Sequence, residues 1–157
     1  MMSDSIDVKI EGLTENIQKM SAFPRELEAS TRITMNASLT VIHENVPPYP
    51  TRPSDYVRTG TLGRSLGSSM TGGKGGYPDI YETKIMGSES TGRFGTRLEY
   101  AGYVIGPDNG AIGERQAWMH KGIWWQMKTI KEASQTKIVG LWKIMSDKLA
   151  VFLKGKQ

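Results

Sequence analysis

The chain has 157 residues, a net charge of +4, two histidines and no cysteine. The absence of cysteine excludes disulfide bonds, a thiolate nucleophile and zinc sites built from cysteine. An apolar fraction of 38% and a count of 18 glycines indicate long loops around a modest core. We therefore expect residues 1–157 to form a single domain, with an extended arm and a glycine-rich loop over residues 46–78.

Charge is distributed unevenly along the chain. Residues 1–46 carry four basic and seven acidic side chains, residues 47–114 carry seven of each, and residues 115–157 carry nine basic and two acidic ones. Two interpretations are open. The basic end binds nucleic acid, or identical subunits pack head to tail, with the acidic end of one copy against the basic end of the next.

A short strand is predicted near the start of the chain, where Ile6, Val8 and Ile10 alternate with charged residues and Gly12 follows. No apolar run approaches the roughly 20 residues needed to cross a bilayer. The first residues are acidic, unlike a secretory signal. We expect a protein made and used in cytosol-like conditions, without a membrane partner.

Two helices are predicted next. The first extends from Thr14 to about Ser21, and the second begins at Pro24, because proline suits a first helical turn. Pro47 and Pro48 end the second helix. A helical stripe recurs every three or four residues, at Leu27, Thr31, Met35, Leu39, Ile42 and Val46.

The stretch 56–69 matches neither helical nor strand periodicity and is interpreted as a structured loop. Its three glycines allow unusual backbone angles, and Arg58 and Arg64 supply forked donors for a carboxylate or phosphate. This chemistry is typical of recognition, not of catalysis. An ordinary polar crossover between two elements is the alternative interpretation.

Residues 80–86 and 92–98 are predicted to form an antiparallel strand pair joined by a turn at 87–90. The proline-rich residues 47–53 predict an extended arm, and residues 72–76 predict a flexible glycine tip. Residues 100–107 are predicted to form either a single helical turn or a third strand, and the helical turn is favoured. The remainder is predicted to be helical from Gln116 or His120 to the end, with a bend or close contact at Gly140.

Sequence motifs for catalysis and metal binding are incomplete. Residues 68–75 lack the first glycine and the final hydroxyl of a phosphate-binding loop. His43 begins a zinc-protease pattern that fails at Pro47, so we expect an exposed histidine near a helix end. Ser65 lies in a literal G-x-S-x-G without the strand and helix of a nucleophile elbow. We expect no enzymatic activity, no cofactor and no metal.

Four tryptophans, Trp118, Trp124, Trp125 and Trp142, lie among lysines in the C-terminal region. A stacking surface for nucleic acid is one interpretation. Packing of the aromatic rings into the core or a subunit interface is favoured, with the lysines on the solvated face. The lysines that face DNA or a neighbouring subunit under either interpretation are Lys128, Lys131, Lys137, Lys143 and Lys148.

Two short motifs, in this order of elements, resemble the neck or tail-completion family of long-tailed bacteriophages, of the minor tail protein Z type. The first, TG-x-L-x-x-S, is matched by Thr59, Gly60, Leu62 and Ser65. The second, YA-x-YV, is matched by Tyr100, Ala101, Tyr103 and Val104. The chain departs from the family after the second motif, where residues 105–107 replace an E-F-G-T type run and the proline-containing entry to the last helix is absent.

The resemblance implies an α+β fold in which a long N-terminal and a long C-terminal helix pack on a small antiparallel sheet, with extended proline- and glycine-rich loops. It implies a structural virion protein, assembled in the host cytoplasm, that forms a six-fold or twelve-fold ring at the head–tail junction. Partners would be the connector or head-closure protein, the tail terminator or tail tube, and genome DNA that passes without being read.

By the same resemblance, partner and subunit contacts would involve both motifs. The residues concerned are Arg58, Thr59, Gly60, Leu62, Arg64, Ser65, Tyr100, Ala101, Tyr103 and Val104. A tail terminator or a head-closure protein of the same junction is the nearest alternative function. A non-specific DNA-binding protein is the second alternative.

Overall fold

The computed structural model describes residues 13–48, 60–69, 75–86, 89–106, 117–121 and 123–155. These residues form helices and a two-stranded antiparallel sheet, with a long helix at each end, so the predicted α+β class is confirmed. The strand predicted at residues 6–10 and most of the proline arm lie outside the described residues, as do residues 70–74 of the glycine-rich loop.

Helix α1 extends from Leu13 to Glu44 and contains Pro24. The prediction of two helices separated near Pro24 is therefore wrong. A proline inside a helix removes one N–H donor and leaves the carbonyl four residues earlier without its partner. The side chains around Pro24 are mostly exposed, so water can solvate that carbonyl and the helix continues.

Strand β1, Ile80–Met86, pairs with strand β2, Glu89–Gly95, in a register that places Ile80 opposite Gly95 and Met86 opposite Glu89. The first strand is as predicted, whereas the second begins three residues earlier than predicted. Glu89 and Ser90 resemble part of a turn in the sequence, but they occupy the start of β2, because a polar side chain is compatible with the solvated face of a hairpin.

Helix α1 covers the inner face of the hairpin. Thr83 Oγ1 donates a hydrogen bond of 2.6 Å to Asn36 Oδ1, and Thr40 Oγ1 lies 2.9 Å from the Tyr81 hydroxyl. A Cβ at Gly92 would meet Met35 Sδ at 2.6 Å, so the backbone of β2 approaches α1 closely at this point. The opposite face of the hairpin is exposed.

A one-turn helix, α2, spans Thr61–Ser65 within the stretch that was predicted to be a loop without helix. Leu62 and Leu66 are four residues apart and both are buried. This spacing places them on one side of a helical turn, so burial of two leucines favours the helical conformation despite the neighbouring glycines. The predicted helical turn after Tyr100 is confirmed as helix α3, Ala101–Ile105.

The last helix, α4, spans Met127–Lys154 and follows a short 3-10 helix at Trp118–His120. It begins later than the predicted start at Gln116 or His120. Gln126 is extended and the preceding residue pair, Trp124 and Trp125, packs into or against the core. No close contact occurs at Gly140, where an added Cβ would meet nothing within 4 Å in the described chain.

Helices α1 and α4 pack against each other in opposite directions. Lys137 Nζ lies 3.6 Å from Glu44 Oε2 near the end of α1, whereas Trp142 and Met145 lie near Leu27 in its first half. Ser134 is fully buried between the helices, and its hydroxyl donates to the Ile130 carbonyl at 2.7 Å. Among the described residues, no helix is long and apolar enough to cross a membrane.

Candidate functional site

The two motifs that carry the family resemblance meet in one hydrophobic core. Leu62 of the first motif and Ala101 and Val104 of the second are buried in the same cluster as Leu66 and Trp124. Helices α2 and α3 are too short to be stable alone, because a single helical turn costs more to nucleate than it returns. Their mutual burial therefore determines the conformation of both motifs.

The end of α1 anchors the residues that follow α2. His43 Nε2 lies 3.1 Å from the Gly67 carbonyl oxygen, so Nε2 carries a proton and donates it. Ser68 Oγ donates to the Pro47 carbonyl at 2.7 Å. The prediction of an exposed His43 is wrong, since its side chain is 3% exposed and lies between Tyr81 and Phe94.

Ser65 belongs to a polar network that joins α2 to the hairpin. Its hydroxyl donates to the Leu62 carbonyl at 2.7 Å and accepts a bond of 2.7 Å from Thr96 Oγ1. Its carbonyl accepts from the Asp79 backbone N–H at 2.8 Å. Thr96 Oγ1 also lies 3.2 Å from Asp79 Oδ2. These bonds hold Ser65 inside the fold. His43 forms its hydrogen bond with the Gly67 carbonyl and not with Ser65.

Arg64, at an unspecified position of the first motif, and two tyrosines of the second motif face solvent. Arg64 is exposed on α2, and Tyr100 and Tyr103, 45% and 67% exposed, lie at the start and on the outer side of α3. The Tyr103 carbonyl accepts from the Ala117 N–H at 2.7 Å, which brings the segment of exposed Met119 close to α3. We call Arg64, Tyr100 and Tyr103 the motif surface. Arginine and tyrosine are frequent at the centres of protein interfaces.

The family-inferred contact residues therefore fall into four groups. Leu62, Ser65, Ala101 and Val104 are buried in the chain itself, whereas Arg64, Tyr100 and Tyr103 are exposed. Gly60 precedes α2 in a left-handed conformation with φ 73°, which glycine adopts without steric cost. Arg58 and Thr59 lie outside the described residues.

The five lysines predicted to face DNA or a neighbouring subunit all lie on α4 and are exposed, but they do not form one stripe. With about 100° of rotation per residue, Lys128 and Lys143 project from one side of the helix and Lys137 and Lys148 from the other. Lys128 pairs with Glu132 and Lys137 with Glu44, each at 3.6 Å. A DNA duplex approaching one side would contact only part of this set.

The tryptophans occupy different environments. Trp124 is 7% exposed in the core and its ring centroid lies 5.9 Å from that of Trp125, which confirms the predicted core packing for Trp124. Trp142 is half-buried and lines a groove between α1, α4 and the hairpin. Nothing is described for the Trp118 side chain. A ring buried as deeply as Trp124 is unavailable for stacking on a base.

A second, apolar groove of about 480 Å³ lies where α1, the hairpin, α3 and α4 converge. Ile42, Phe94, Ile105 and Ile130 line it, and among the described residues Lys131 is the one charged side chain at its edge. Within the described ranges, no group of three or more histidines and acidic residues is arranged to hold a metal ion.

Sequence reasoning missed two features of this region. Tyr77 is 85% exposed and its ring centroid lies 6.1 Å from that of Tyr81, but a single tyrosine beside a glycine tip has no pattern that predicts exposure. The burial of His43 was signalled weakly by its position, four residues after Leu39, on the core-facing stripe of α1. Comparisons with protein-family models, curated proteins and solved structures find no match.

Proposed function

We propose that this protein is a structural subunit of a tailed-phage virion that forms a homo-oligomeric ring at the head–tail junction. In this role it joins the DNA-filled head to the tail, as a neck or tail-completion protein. Its contacts are copies of itself in a six-fold or twelve-fold ring, the connector or head-closure protein on one side, and the tail terminator or tail tube on the other.

One observation carries the proposal. The two motifs of the family resemblance are far apart in the sequence, yet Leu62 packs in one cluster with Ala101 and Val104. Random matches to short patterns have no physical reason to be neighbours. Their common core supports the view that the matched residues act together, with the motif surface Arg64, Tyr100 and Tyr103 presented to a partner.

The charge distribution also supports assembly. A closed ring uses heterologous contacts, in which one face of a subunit meets a different face of the next. The first 46 residues are net acidic and the last 43 are strongly basic, so a head-to-tail contact brings opposite charges together. Such complementarity guides encounter and orientation more than it adds affinity.

Direct DNA binding is less well supported as the principal function. The lysines of α4 are spread around the helix, and two of them already lie within 4 Å of carboxylates. In a ring, those that face the channel would contact phosphates of passing DNA without reading sequence. A tail terminator or head-closure protein uses the same contacts, so the position of the ring in the particle distinguishes these alternatives.

The test is native mass spectrometry and negative-stain imaging of the purified protein, alone and mixed with tails or connector-bearing heads from the same source. Rings, or density incorporated at the junction of joined particles, are the expected result. A monomer that associates with neither tails nor heads, but shifts the gel mobility of duplex DNA with an affinity that falls steeply as salt rises, would identify a DNA-binding protein instead.

The motif surface is tested with Arg64→Glu and Tyr103→Ala. Both side chains are exposed, so we expect folding stability within about 0.5 kcal/mol of the natural chain and a loss of head–tail joining. Arg25→Glu is the matched control, because Arg25 is an exposed arginine on α1, outside the motif surface. Normal joining by both motif variants would remove this surface from the proposal.

A further inference from the structure

Strand β1 has an open edge. Among the described residues, β1 pairs only with β2, so the N–H and C=O groups on its other side lack a strand partner. Two-stranded hairpins are marginal without further support, and an unpaired edge is a template for another strand. β1 contains no proline, which is one of the residues that block such pairing.

One segment outside the described residues has strand periodicity in the sequence. Ile6, Val8 and Ile10 alternate with Asp7 and Lys9, and this segment precedes the first described residue, Leu13. An added strand must alternate in the same way as β1, with one side facing the helix layer and the other facing solvent. Residues 6–10 meet this requirement.

The charges select a register. On β1, Tyr81 and Thr83 face α1 through their hydrogen bonds to Thr40 and Asn36, so the exposed Glu82 and Lys84 point to solvent. Antiparallel pairing with Val8 opposite Thr83 places Ile6 opposite Ile85 and Ile10 opposite Tyr81. It also places Lys9 opposite Glu82 and Asp7 opposite Lys84, so both cross-strand ion pairs have opposite signs.

In this register the segment cannot reach β1 of its own chain. Tyr81 bonds to Thr40, and Thr40 is about 40 Å from Leu13 along α1 at 1.5 Å per residue. Ile10 precedes Leu13 by three residues, and three extended residues span at most about 11 Å. The hairpin that accepts residues 6–10 must therefore belong to another molecule.

We propose that residues 6–10 of one copy add a third strand to the open edge of β1 in a second copy, antiparallel and with Val8 opposite Thr83. The contact is heterologous, because a donor segment meets a different acceptor surface, and it can repeat around a ring. The inference rests on the proposed self-assembly and names one contact through which the copies join.

Crosslinking tests the pairing directly. The natural chain has no cysteine, so one protein carrying Val8→Cys and another carrying Thr83→Cys are mixed and oxidised. Directly opposite residues have Cβ atoms about 4.5–5.5 Å apart, near the distance of a disulfide. We expect a disulfide-linked heterodimer on a non-reducing gel, in yield on the order of tenfold above the control.

The matched control replaces Thr83→Cys by Glu82→Cys, since Glu82 is the adjacent residue and its side chain points to the other side of the sheet. Equal yields from the two acceptors would overturn the proposed register. An intramolecular disulfide at high dilution in a single chain carrying both Val8→Cys and Thr83→Cys would overturn the reach argument and the proposal.

Charge reversal gives a second measurement. Lys84→Glu places a carboxylate opposite Asp7, and we expect association to weaken about fivefold by native mass spectrometry or sedimentation. Asp7→Lys in the same chain restores opposite charges and is expected to recover the affinity. No recovery would contradict the register.

The two proposals fail in different ways. If the natural protein forms rings but Val8→Cys and Thr83→Cys do not crosslink above the control, the strand pairing is wrong and the ring function stands. If the natural protein stays monomeric both alone and with heads and tails, both proposals fail.

Discussion

Gly67 is a position at which one added methyl group is expected to be strongly destabilising. It has φ 66°, in the left-handed region, and it lies where the residues after α2 meet the end of α1. A Cβ there would overlap His43 Nε2 and lie 2.8 Å from the Gly76 carbonyl oxygen. His43 is buried, so its ring has little room to move away.

The cost of Gly67→Ala has two parts. A left-handed conformation costs a residue other than glycine about 1–2 kcal/mol, and forcing packed neighbours apart costs about 1–3 kcal/mol. We expect the free energy of unfolding to fall by about 2–5 kcal/mol. At this chain length 1 kcal/mol changes Tm by roughly 2–4 °C, so the Tm should fall by about 4–20 °C.

Urea unfolding followed by tryptophan fluorescence measures the effect, because Trp124 is buried in the core and becomes solvated on unfolding. Gly140→Ala is the matched control. Gly140 lies inside α4 and an added Cβ meets nothing within 4 Å, so alanine should stabilise the chain by up to about 1 kcal/mol. The predicted overlap at Gly67 is wrong if the free energy of unfolding of Gly67→Ala differs from that of the natural chain by less than 0.5 kcal/mol, which is roughly the error of such measurements.

Further substitutions test the core and the surface, each by urea unfolding. Leu66→Ala should cost about 2–5 kcal/mol, since Leu66 is 0% exposed; a loss below 1 kcal/mol, about one buried methylene, would contradict its place in the core. Ser65→Ala should cost about 1 kcal/mol, because the hydroxyl makes two hydrogen bonds. Lys137→Ala should change stability by less than about 0.5 kcal/mol, since its ion pair with Glu44 is exposed; a larger loss would indicate an additional contact.

Periodicity predicted the long elements well. The stripe from Leu27 to Val46 lies within or just beyond α1, and the alternation over Ile80–Met86 corresponds to β1. Both patterns follow from local geometry, since a helix repeats every 3.6 residues and a strand every two. The boundary at Pro24 was wrong because helix continuity there depends on solvent access to one carbonyl, which periodicity does not report.

The start of α4 was misjudged for a related reason. Ile123 and Met127 are four residues apart and both pack against the core, so their spacing resembles an uninterrupted helix. The intervening chain is extended at Gln126. Because both side chains pack against the same core, their spacing of four residues matches that of a helix although the chain between them is not helical.

The candidate site contains one local pattern and several contacts between distant residues. The spacing of Leu62 and Leu66 is a local helical pattern, but the neighbouring glycines favoured the prediction of a loop. The contact of Leu62 with Ala101 and Val104, and the bond from His43 to Gly67, join residues more than 20 positions apart. No sequence window contains these pairs, so no periodicity predicts them.

Composition, charge and periodicity were sufficient to predict four features: the absence of disulfides, the two long helices, the hairpin and the acidic-to-basic gradient. Each of these depends on residue types or on neighbours within a few positions. Which motif residues are buried, and which are offered to a partner, depends on how distant segments pack. Arg64 and Ser65 are adjacent in the chain, yet one is exposed and the other is enclosed, since a single helical turn directs successive side chains about 100° apart.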